Sequence, residues 1–385
     1  MFDSKKFFSS FPKSVYDVTV YISRQGFCLT LVGGAVRDFL LDGIISKDLD
    51  FEIKHLFEYD EQRWERMLLR MFTQLEKDLG LKVENKGHNV FSITIDGNEL
   101  EFSSPRVEKH IDNDFSHKNF EPSYISNLDY QRAFKRRDFT INAMGIFFGV
   151  PAAKDEFTLI DPFNGLSSIS TRELKHVGED FSKDPVRLLR LIRFKNSLNF
   201  NISMETQSLL SEFNLESISN YYLRTEFIKS KTLIFFKDLA DVLDKYEIST
   251  PGDMSFITEL GTADSENGMI PFSMEHFFAW LCLSYEFSSD TKRKIISYFG
   301  QSLKNGEKLI QCSELYRDIS KSSLDEKILF MDLISSIKAR LNFDRALLSR
   351  VQTWNDRLAN FRPSSKGLGK EERIKLKRDL VNELF

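Results

Sequence analysis

Two glycines and two aspartates carry the chemistry open to this chain. Leu31-Val32-Gly33-Gly34-Ala35-Val36-Arg37-Asp38 is followed by Lys47-Asp48-Leu49-Asp50-Phe51. Asp48 and Asp50 stand two apart, so on a strand their carboxylates project from one face while Leu49, Phe51 and Ile53 take the other. Such a pair suits Mg²⁺, a hard cation that draws its ligands from protein oxygens and substrate phosphates. Phe27 to Val32 reads as a strand and Ala35 to Leu41 as a helix, with Gly33-Gly34 where the backbone must turn and approach a ligand closely. The helix then offers free N–H groups and its positive dipole end to a triphosphate, and Arg37 adds a bidentate cation. Metal-dependent transfer on a nucleoside triphosphate is the chemistry implied. Taken alone, Gly33-Gly34 fit an ordinary turn equally well, because a short glycine match is a weak signal.

Further segments raise the specificity. Arg136-Arg137-Asp138 precedes the apolar run Phe139-Thr140-Ile141-Asn142-Ala143-Met144. Two adjacent guanidiniums suit triphosphate oxygens, and Asp138 can accept a hydrogen bond from a ribose hydroxyl; an exposed basic helix start is the plainer alternative. Ile160-Asp161-Pro162-Phe163-Asn164-Gly165 comes next, then Phe181-Ser182-Lys183-Asp184-Pro185-Val186-Arg187-Leu188-Leu189-Arg190. Pro185 fits the first turn of a helix capped by Asp184. Arg187 and Arg190 would share one face, with Leu188, Leu189 and Ile192 facing the core; an ordinary amphipathic helix with solvated arginines has the same pattern.

This ordered set resembles the class II nucleotidyltransferase superfamily, the CCA-adding tRNA nucleotidyltransferases and bacterial poly(A) polymerases. The resemblance runs from about Thr30 to about Lys245, and Leu159 to Phe194 is most similar to the gammaproteobacterial CCA-adding type. It implies an α+β fold: a polymerase-β-like head with a mixed β-sheet, followed by an all-α neck, body and tail. It implies Asp48 and Asp50 as catalytic metal ligands, and Gly33, Gly34, Arg37, Arg137, Asp138, Asp184, Arg187 and Arg190 as nucleotide-binding residues. In the family the Asp and first Arg of the later helix read the base edges of CTP and ATP, positions held here by Asp184 and Arg187. Lys183 departs from the usual Glu. Leu223 likewise replaces a usual Glu in Leu223-Arg224-Thr225-Glu226-Phe227, leaving Arg224 and Glu226 as an expected structural pair supporting the base-reading helix.

The implied activity is addition of CCA to the tRNA 3′ end. Alternatives are a poly(A) polymerase, a CC-adding or A-adding specialist, and an inactive RNA-binding protein. The expected partners are the tRNA acceptor end, CTP and ATP, with no membrane and no obligate protein partner. Some relatives carry a phosphohydrolase domain marked by a His-Asp pair; His276 has no such neighbour, so phosphatase activity is not expected.

The elements that must position these residues follow from pattern. Residues 1–147 are expected to form the catalytic head, 148–245 a helical neck carrying the base-reading helix, and 246–385 a helical body and tail that binds tRNA. Residues 1 to about 24 read as a leading amphipathic helix. Val90 to Ile95 and Glu99 to Ser103 flank Asp96-Gly97-Asn98, a hairpin signal. Glu101 either joins the metal carboxylates or faces solvent. Arg106-Val107-Glu108 and His110 to Lys118 are polar and match the place of the family's flexible loop. From about 148 the patterns are helical, with breaks at Pro251-Gly252 and Glu266-Asn267-Gly268.

Composition agrees. At 385 residues the chain implies two or three domains, and 36 Phe point to aromatic-rich packing. Cys28, Cys282 and Cys312 have no paired spacing, which fits a reducing cytoplasm and no zinc site. Phe7 to Phe11 is too short and interrupted to cross a bilayer. A net charge of −4 demands local basic surface for RNA. Lys229, Lys231, Lys366, Lys370, Arg373, Lys375, Lys377 and Arg378 offer it, as solvated helix faces or as tRNA contacts.

Overall fold

Alternation along Asp48–Lys54 sets the centre of the fold. In this strand, β2, Leu49, Phe51 and Ile53 are fully buried. In the computed structural model, the structure describes residues 2–110, 120–149, 157–252, 254–262, 287–298, 319–337, 345–360 and 369–385. Contacts divide the chain into one unit of Met1–Ser217 with Tyr246–Ser249, and a second of Ile218–Lys245 with Thr250–Phe385. The expected boundary at 147/148 falls inside the first unit.

The first unit is built on a seven-stranded mixed sheet, ordered β3-β4-β5-β2-β1-β8-β9. Its strands are β1 (Cys28–Val32), β2 (Asp48–Lys54), β3 (Val83–Gly87), β4 (Val90–Ile95), β5 (Asn98–Ser103), β8 (Gly145–Phe147) and β9 (Thr158–Ile160). β2 pairs with β1 antiparallel and with β5 parallel. Asp96 and Gly97 join β4 to β5 with φ of 50° and 73°, the two positive values a tight twisted hairpin requires.

Helices cover one side of this sheet. The sequence pattern suggests a single leading helix, but the structure has two, α1 (Ser4–Ser10) and α2 (Lys13–Arg24). The break comes at Phe11, which takes the extended backbone (φ −82°, ψ 131°) that a following proline imposes. α1 supplies Phe7, whose ring lies 5.0–6.0 Å from those of Phe11, Phe39, Phe148 and Phe157. The pairs with Phe39, Phe148 and Phe157 are edge-on and that with Phe11 is tilted; aromatic pairs add roughly 0.5–1.5 kcal/mol each beyond their burial. α3 (Gly34–Asp42) and α4 (Glu61–Leu79) complete this core through Val36, Phe39, Trp64, Leu68 and Phe72.

Two expectations need correction. Arg106–His110 is not loop but strand β6, paired antiparallel with β7 (Phe120–Tyr124); residues 111–119 lie outside the described residues. The chain after 148 is not wholly helical either. β9 closes the head sheet beside β8, and the short β10 (Glu173–Leu174) and β11 (Asn201–Ile202) pair in parallel. Two- and three-residue strands carry too little alternation to register in sequence.

The second unit contains helices Asn220–Ser230, Ile234–Lys245, Ser255–Thr262 and Ser289–Tyr298. Helices Leu324–Ile337, Arg345–Asn360 and Lys370–Leu384 share a core of Phe330, Met331, Val351, Trp354, Leu380 and Val381. No helix among the described residues is long and apolar enough to cross a membrane. The Glu266-Asn267-Gly268 break, His276, Cys282, Cys312 and Lys366 lie outside the described residues; Cys28 is buried.

Candidate active site

The site begins where β1 ends. Gly33 takes φ 77°, ψ −137° and caps α3, a conformation open to glycine and strained for other residues. A Cβ there would lie 3.4 Å from Arg137 Nη1 and 3.6 Å from Asp50 Oδ2. Three sequence-distant groups therefore converge on one turn, with the N-terminus of α3 opening beside them. Gly34 begins that helix, and Arg37 lies on its first turn with its guanidinium beside Gly34.

Asp48 and Asp50 occupy exposed positions on the face of β2 opposite the core, as the alternation predicts. Register sets Glu99 opposite Asp48 and Glu101 opposite Asp50 on β5. The desolvating protein behind Asp50 pushes its carboxyl up, and the Glu101 and Asp48 charges add to the shift, with Arg137 and Lys86 opposing it. Glu101 also accepts from Lys86 at 3.0 Å. Glu101 thus adjoins the pair while already neutralised by a lysine.

A divalent metal bound here would draw on this donor set. No group of three or more His, Cys, Asp or Glu able to hold a metal exists among the described residues. Two exposed carboxylates on one strand face nonetheless fit a hard cation that completes its shell with waters and substrate phosphates.

The arginines are tied together by Asn142, a residue whose type and spacing give it no evident chemical role. Asn142 lies in the 3₁₀ turn Thr140–Asn142, 4% exposed. Its side-chain oxygen accepts from Arg37 Nη1 at 2.8 Å, its amide donates to Asp138 Oδ1 at 3.0 Å, and its carbonyl accepts from Arg137 Nη1 at 3.2 Å. The only sequence signal is a polar amide within an apolar run. Arg37 is further held by Asp38, through Nε at 2.8 Å and Nη2 at 2.7 Å.

Asp138 is placed differently from an open ribose acceptor. It is 7% exposed and accepts from Arg190 Nε at 2.7 Å, Arg190 Nη2 at 2.6 Å, Phe139 N at 2.8 Å and Asn142. A ribose hydroxyl reaches it only by displacing one of these donors. Burial pushes its carboxyl up, but the Arg190 charge and the hydrogen bonds from Asn142, Arg190 and Phe139 N outweigh that and hold it below the usual range.

Arg190 and Arg187 stand on α7 (Val186–Leu198), whose Leu188, Leu189, Leu191 and Ile192 are buried. The helix starts one residue later than expected: Pro185, lacking an N–H, takes the cap position, and the Asp184 carboxylate accepts from Val186 N at 3.0 Å. Arg187 is fixed by donating to Arg136 O at 2.8 Å and Asp180 O at 3.2 Å, with Asp184 Oδ2 3.7 Å from its Nε. Beside it opens a cavity of about 330 Å³ lined by Arg106, Val107, Arg132, Lys135, Arg136, Gly178, Asp180 and Arg187. Its cations outnumber its one acid, and Asp180 is itself paired with Lys183 at 2.5 Å, so the cavity suits an anionic ligand.

The Ile160–Gly165 motif is structural. Asp161 accepts from Gly165 N at 2.6 Å and Leu166 N at 2.9 Å, capping α6 (Gly165–Thr171). A Cβ on Gly165 would meet Thr140 O at 2.3 Å, so glycine is what lets α6 press on the turn that carries Asn142.

In the second unit Arg224 lies 6.0 Å from the Tyr221 ring and Glu226 is buried. The basic C-terminal cluster is partly used within that unit, since Lys377 pairs with Asp332 and Arg378 with Asp325 at 3.0 Å. Lys375, Lys229 and Lys231 are exposed.

Comparison with known proteins adds an independent line. Residues 29–175 match the poly A polymerase head domain. The chain is 34% identical over 184 residues to a "Multifunctional CCA protein" of Pseudoalteromonas atlantica, covering 47% of this chain and 39% of that one. It is 31% identical over 221 residues to a "CCA-adding enzyme" of Francisella tularensis subsp. novicida, covering 55% and 53%. The chain thus spans between 39% and 53% of the length of these curated relatives. A crystal structure of the Bacillus stearothermophilus CCA-adding enzyme in complex with CTP has the same fold, with a TM-score of 0.61 at 20% identity over 97% of this chain and 94% of that one.

Proposed function

We propose that this chain carries a head of class II nucleotidyltransferase type and adds C, C and A to the 3′ end of tRNA from CTP and ATP, releasing pyrophosphate. The observation that carries the reading is the convergence of the Gly33 backbone, Asp50 Oδ2 and Arg137 Nη1 on one turn. That is a phosphate cradle beside a carboxylate pair. The likeness to enzymes named for CCA addition, and to one whose structure holds CTP, supports this choice of substrate.

Each residue then has a physical task. The Gly33-Gly34 turn and the N-terminus of α3 take the triphosphate through backbone N–H groups, with Arg37 and Arg137 neutralising its charge. Asp48 and Asp50 hold the divalent metal, which we assign as Mg²⁺ and which, when bound, supplies Lewis-acid polarisation of the phosphate and of the attacking hydroxyl. Asp138 orients Arg190 towards the nucleotide. Asp184 accepts from an exocyclic amine and Arg187 donates to ring or carbonyl acceptors, so base choice rests on protein groups fixed by the capped start of α7. The basic cavity beside Arg187 draws in the RNA end electrostatically. The second unit, and the cytoplasm as the place of work, complete the reading.

The test is to incubate the protein with magnesium chloride and tRNA transcripts ending before CCA, after CC and after CCA, supplying CTP, ATP or both. Growth by three residues followed by arrest is expected. Unlimited A tails, or no incorporation on any transcript, would overturn the reading.

A further inference from the structure

His176 has had no part in the site so far, yet its hydrogen bonds fix its protonation state. The backbone on either side of it is tied to the Asp138 segment, Thr140 N donating to Lys175 O at 2.9 Å and Val177 N to Asp138 O at 3.1 Å. Its own N–H donates to Thr206 Oγ1 at 2.9 Å. Thr206 is fully buried on the short helix Met204–Gln207, which Ser203 caps. The Thr206 oxygen accepts from His176 N and also from Ser203 Oγ at 3.1 Å, which fills both lone pairs of a hydroxyl. The contact that remains, His176 Nδ1 at 2.9 Å, is therefore made by the Thr206 proton. Nδ1 accepts, and the imidazole is the neutral Nε2–H tautomer. Burial pushes the ring below its ordinary value, the Lys175 ammonium acts the same way, and Glu205 and Glu212 oppose them. Both acids have donors of their own, Glu205 from Lys175 at 2.8 Å and Glu212 from Ser182 Oγ at 2.9 Å. Phe139, the β-bridge partner of His176, and Phe181 present uncharged side chains.

The imidazole packs on Phe181, with ring centroids 5.6 Å apart. Phe181 is fully buried and also meets Phe139 at 5.3 Å and Phe213 at 5.5 Å. It belongs to the 3₁₀ turn Glu179–Lys183, which runs directly into Asp184. That turn holds Arg187 in two ways. Its Asp180 carbonyl accepts from Arg187 Nη1 at 3.2 Å, and the Phe181 ring centroid lies 6.0 Å from the Arg187 guanidinium carbon. A continuous line of contacts thus runs from Thr206 through His176 and Phe181 to Arg187, all inside the first unit.

We propose that His176 is a positioning residue for base selection: its neutral ring, locked by the Thr206 hydroxyl, seats Phe181 against Arg187, and a proton on Nδ1 unseats it. The inference rests on the reading of Asp184 and Arg187 as the pair that chooses the base. A protonated Nδ1 turns a donor against a hydroxyl whose acceptor sites are filled, so either the Ser203 bond or the ring's position gives way. The backbone around His176 is pinned on both sides, so the displacement falls to the ring and to Phe181 packed on it.

The test is the ratio of CTP to UTP incorporation on a tRNA transcript ending before CCA, in magnesium chloride, followed from about pH 7.5 to about pH 5 across the histidine range. Wild type is compared with His176→Phe, which keeps a ring against Phe181 and cannot titrate. UTP carries a carbonyl where CTP carries the exocyclic amine, and the ratio cancels any titration common to both reactions, such as that of the carboxylate pair. In wild type the preference for CTP is expected to fall by about threefold at the acid end, the scale of one weakened cation–ring contact, while His176→Phe holds it constant. A preference independent of pH in wild type, or the same fall in His176→Phe, would overturn the inference and leave the proposed function standing. If His176→Phe does not fold, His176→Asn takes its place, since its side-chain oxygen can stand where Nδ1 accepts and it does not titrate; a constant preference is expected, and the wild-type fall overturns the inference. Nitrogen NMR of the wild-type imidazole at about pH 7.5, assigned by its loss in either variant, reads the lock without activity: an unprotonated Nδ1 is expected, and a protonated one overturns the inference. Absence of incorporation of either nucleotide by wild type would overturn both this inference and the proposed function.

Discussion

Replacing Asn142 by alanine is the sharpest single perturbation of the site, because one buried amide there joins residues from three segments. Asn142→Ala removes the bond from Arg37 Nη1 at 2.8 Å and the bond to Asp138 Oδ1 at 3.0 Å. Each involves a charged partner and is worth roughly 1.5–3 kcal/mol. The backbone carbonyl still accepts from Arg137. Neither charge is stranded, since Arg37 keeps Asp38 and Asp138 keeps Arg190 and Phe139 N. The expected loss is therefore in the lower part of the summed range, about 3–4 kcal/mol. For a unit of this size that is a fall in melting temperature of roughly 5–15 °C. Asn142→Asp separates the two contacts: it keeps an oxygen for Arg37 but turns the other against Asp138 Oδ1 where the amide donated. It should be no more stable than Asn142→Ala. Thermal unfolding by circular dichroism gives the first quantity and an ATP titration the second, where both variants should bind more weakly as Arg37 loosens. An Asn142→Ala protein within about 1 kcal/mol of wild type, with unchanged ATP affinity, would refute the hub argument.

The other predictions concern single groups. Asp50→Asn removes a carboxylate raised by burial and by the Glu101 and Asp48 charges; melting should be unchanged or higher at neutral pH while nucleotide addition falls by at least about 10²-fold, and wild-type turnover would exclude Asp50 from the chemistry. Gly33→Ala meets a φ of 77° with ψ −137° and a Cβ position 3.4 Å from Arg137 Nη1, so calorimetry should show weaker ATP binding together with a stability loss of about 1–3 kcal/mol. Asp138 has its carboxyl held below the usual range, so it contributes stability that is present above an unfolded value of about 3.9 and lost as pH falls through the folded one. Asp138→Asn should lower stability at pH 6 and flatten the decline between about pH 5 and 2; denaturant unfolding with an acid limb parallel to wild type would contradict this.

Sequence by itself determined the local half of this protein. The two-residue alternation in Asp48–Lys54 placed Leu49, Phe51 and Ile53 in the core and Asp48 and Asp50 on the open face. Asp96-Gly97 fixed a hairpin, and Asp184-Pro185 fixed the start of α7 to within one residue, because turns and caps are written in adjacent residues. Short-range pattern failed where a neighbour in space sets the outcome. Arg106–His110 reads as loop yet pairs with β7, and Phe11 breaks a helix that amphipathicity alone would continue. The site's wiring was decided by tertiary structure alone. Glu101 stands beside Asp50 through a parallel β2–β5 register, Asp138 is enclosed by Arg190, and Asn142 links Arg37 to Arg137. Glu52 shows the same limit from the other side, since nothing in Asp-Leu-Asp-Phe-Glu reveals that its carboxylate is buried. Residue types and spacing name the groups able to do chemistry, but which charges neutralise one another depends on distances that only the folded chain sets, because electrostatic coupling falls off with separation in space and not along the sequence.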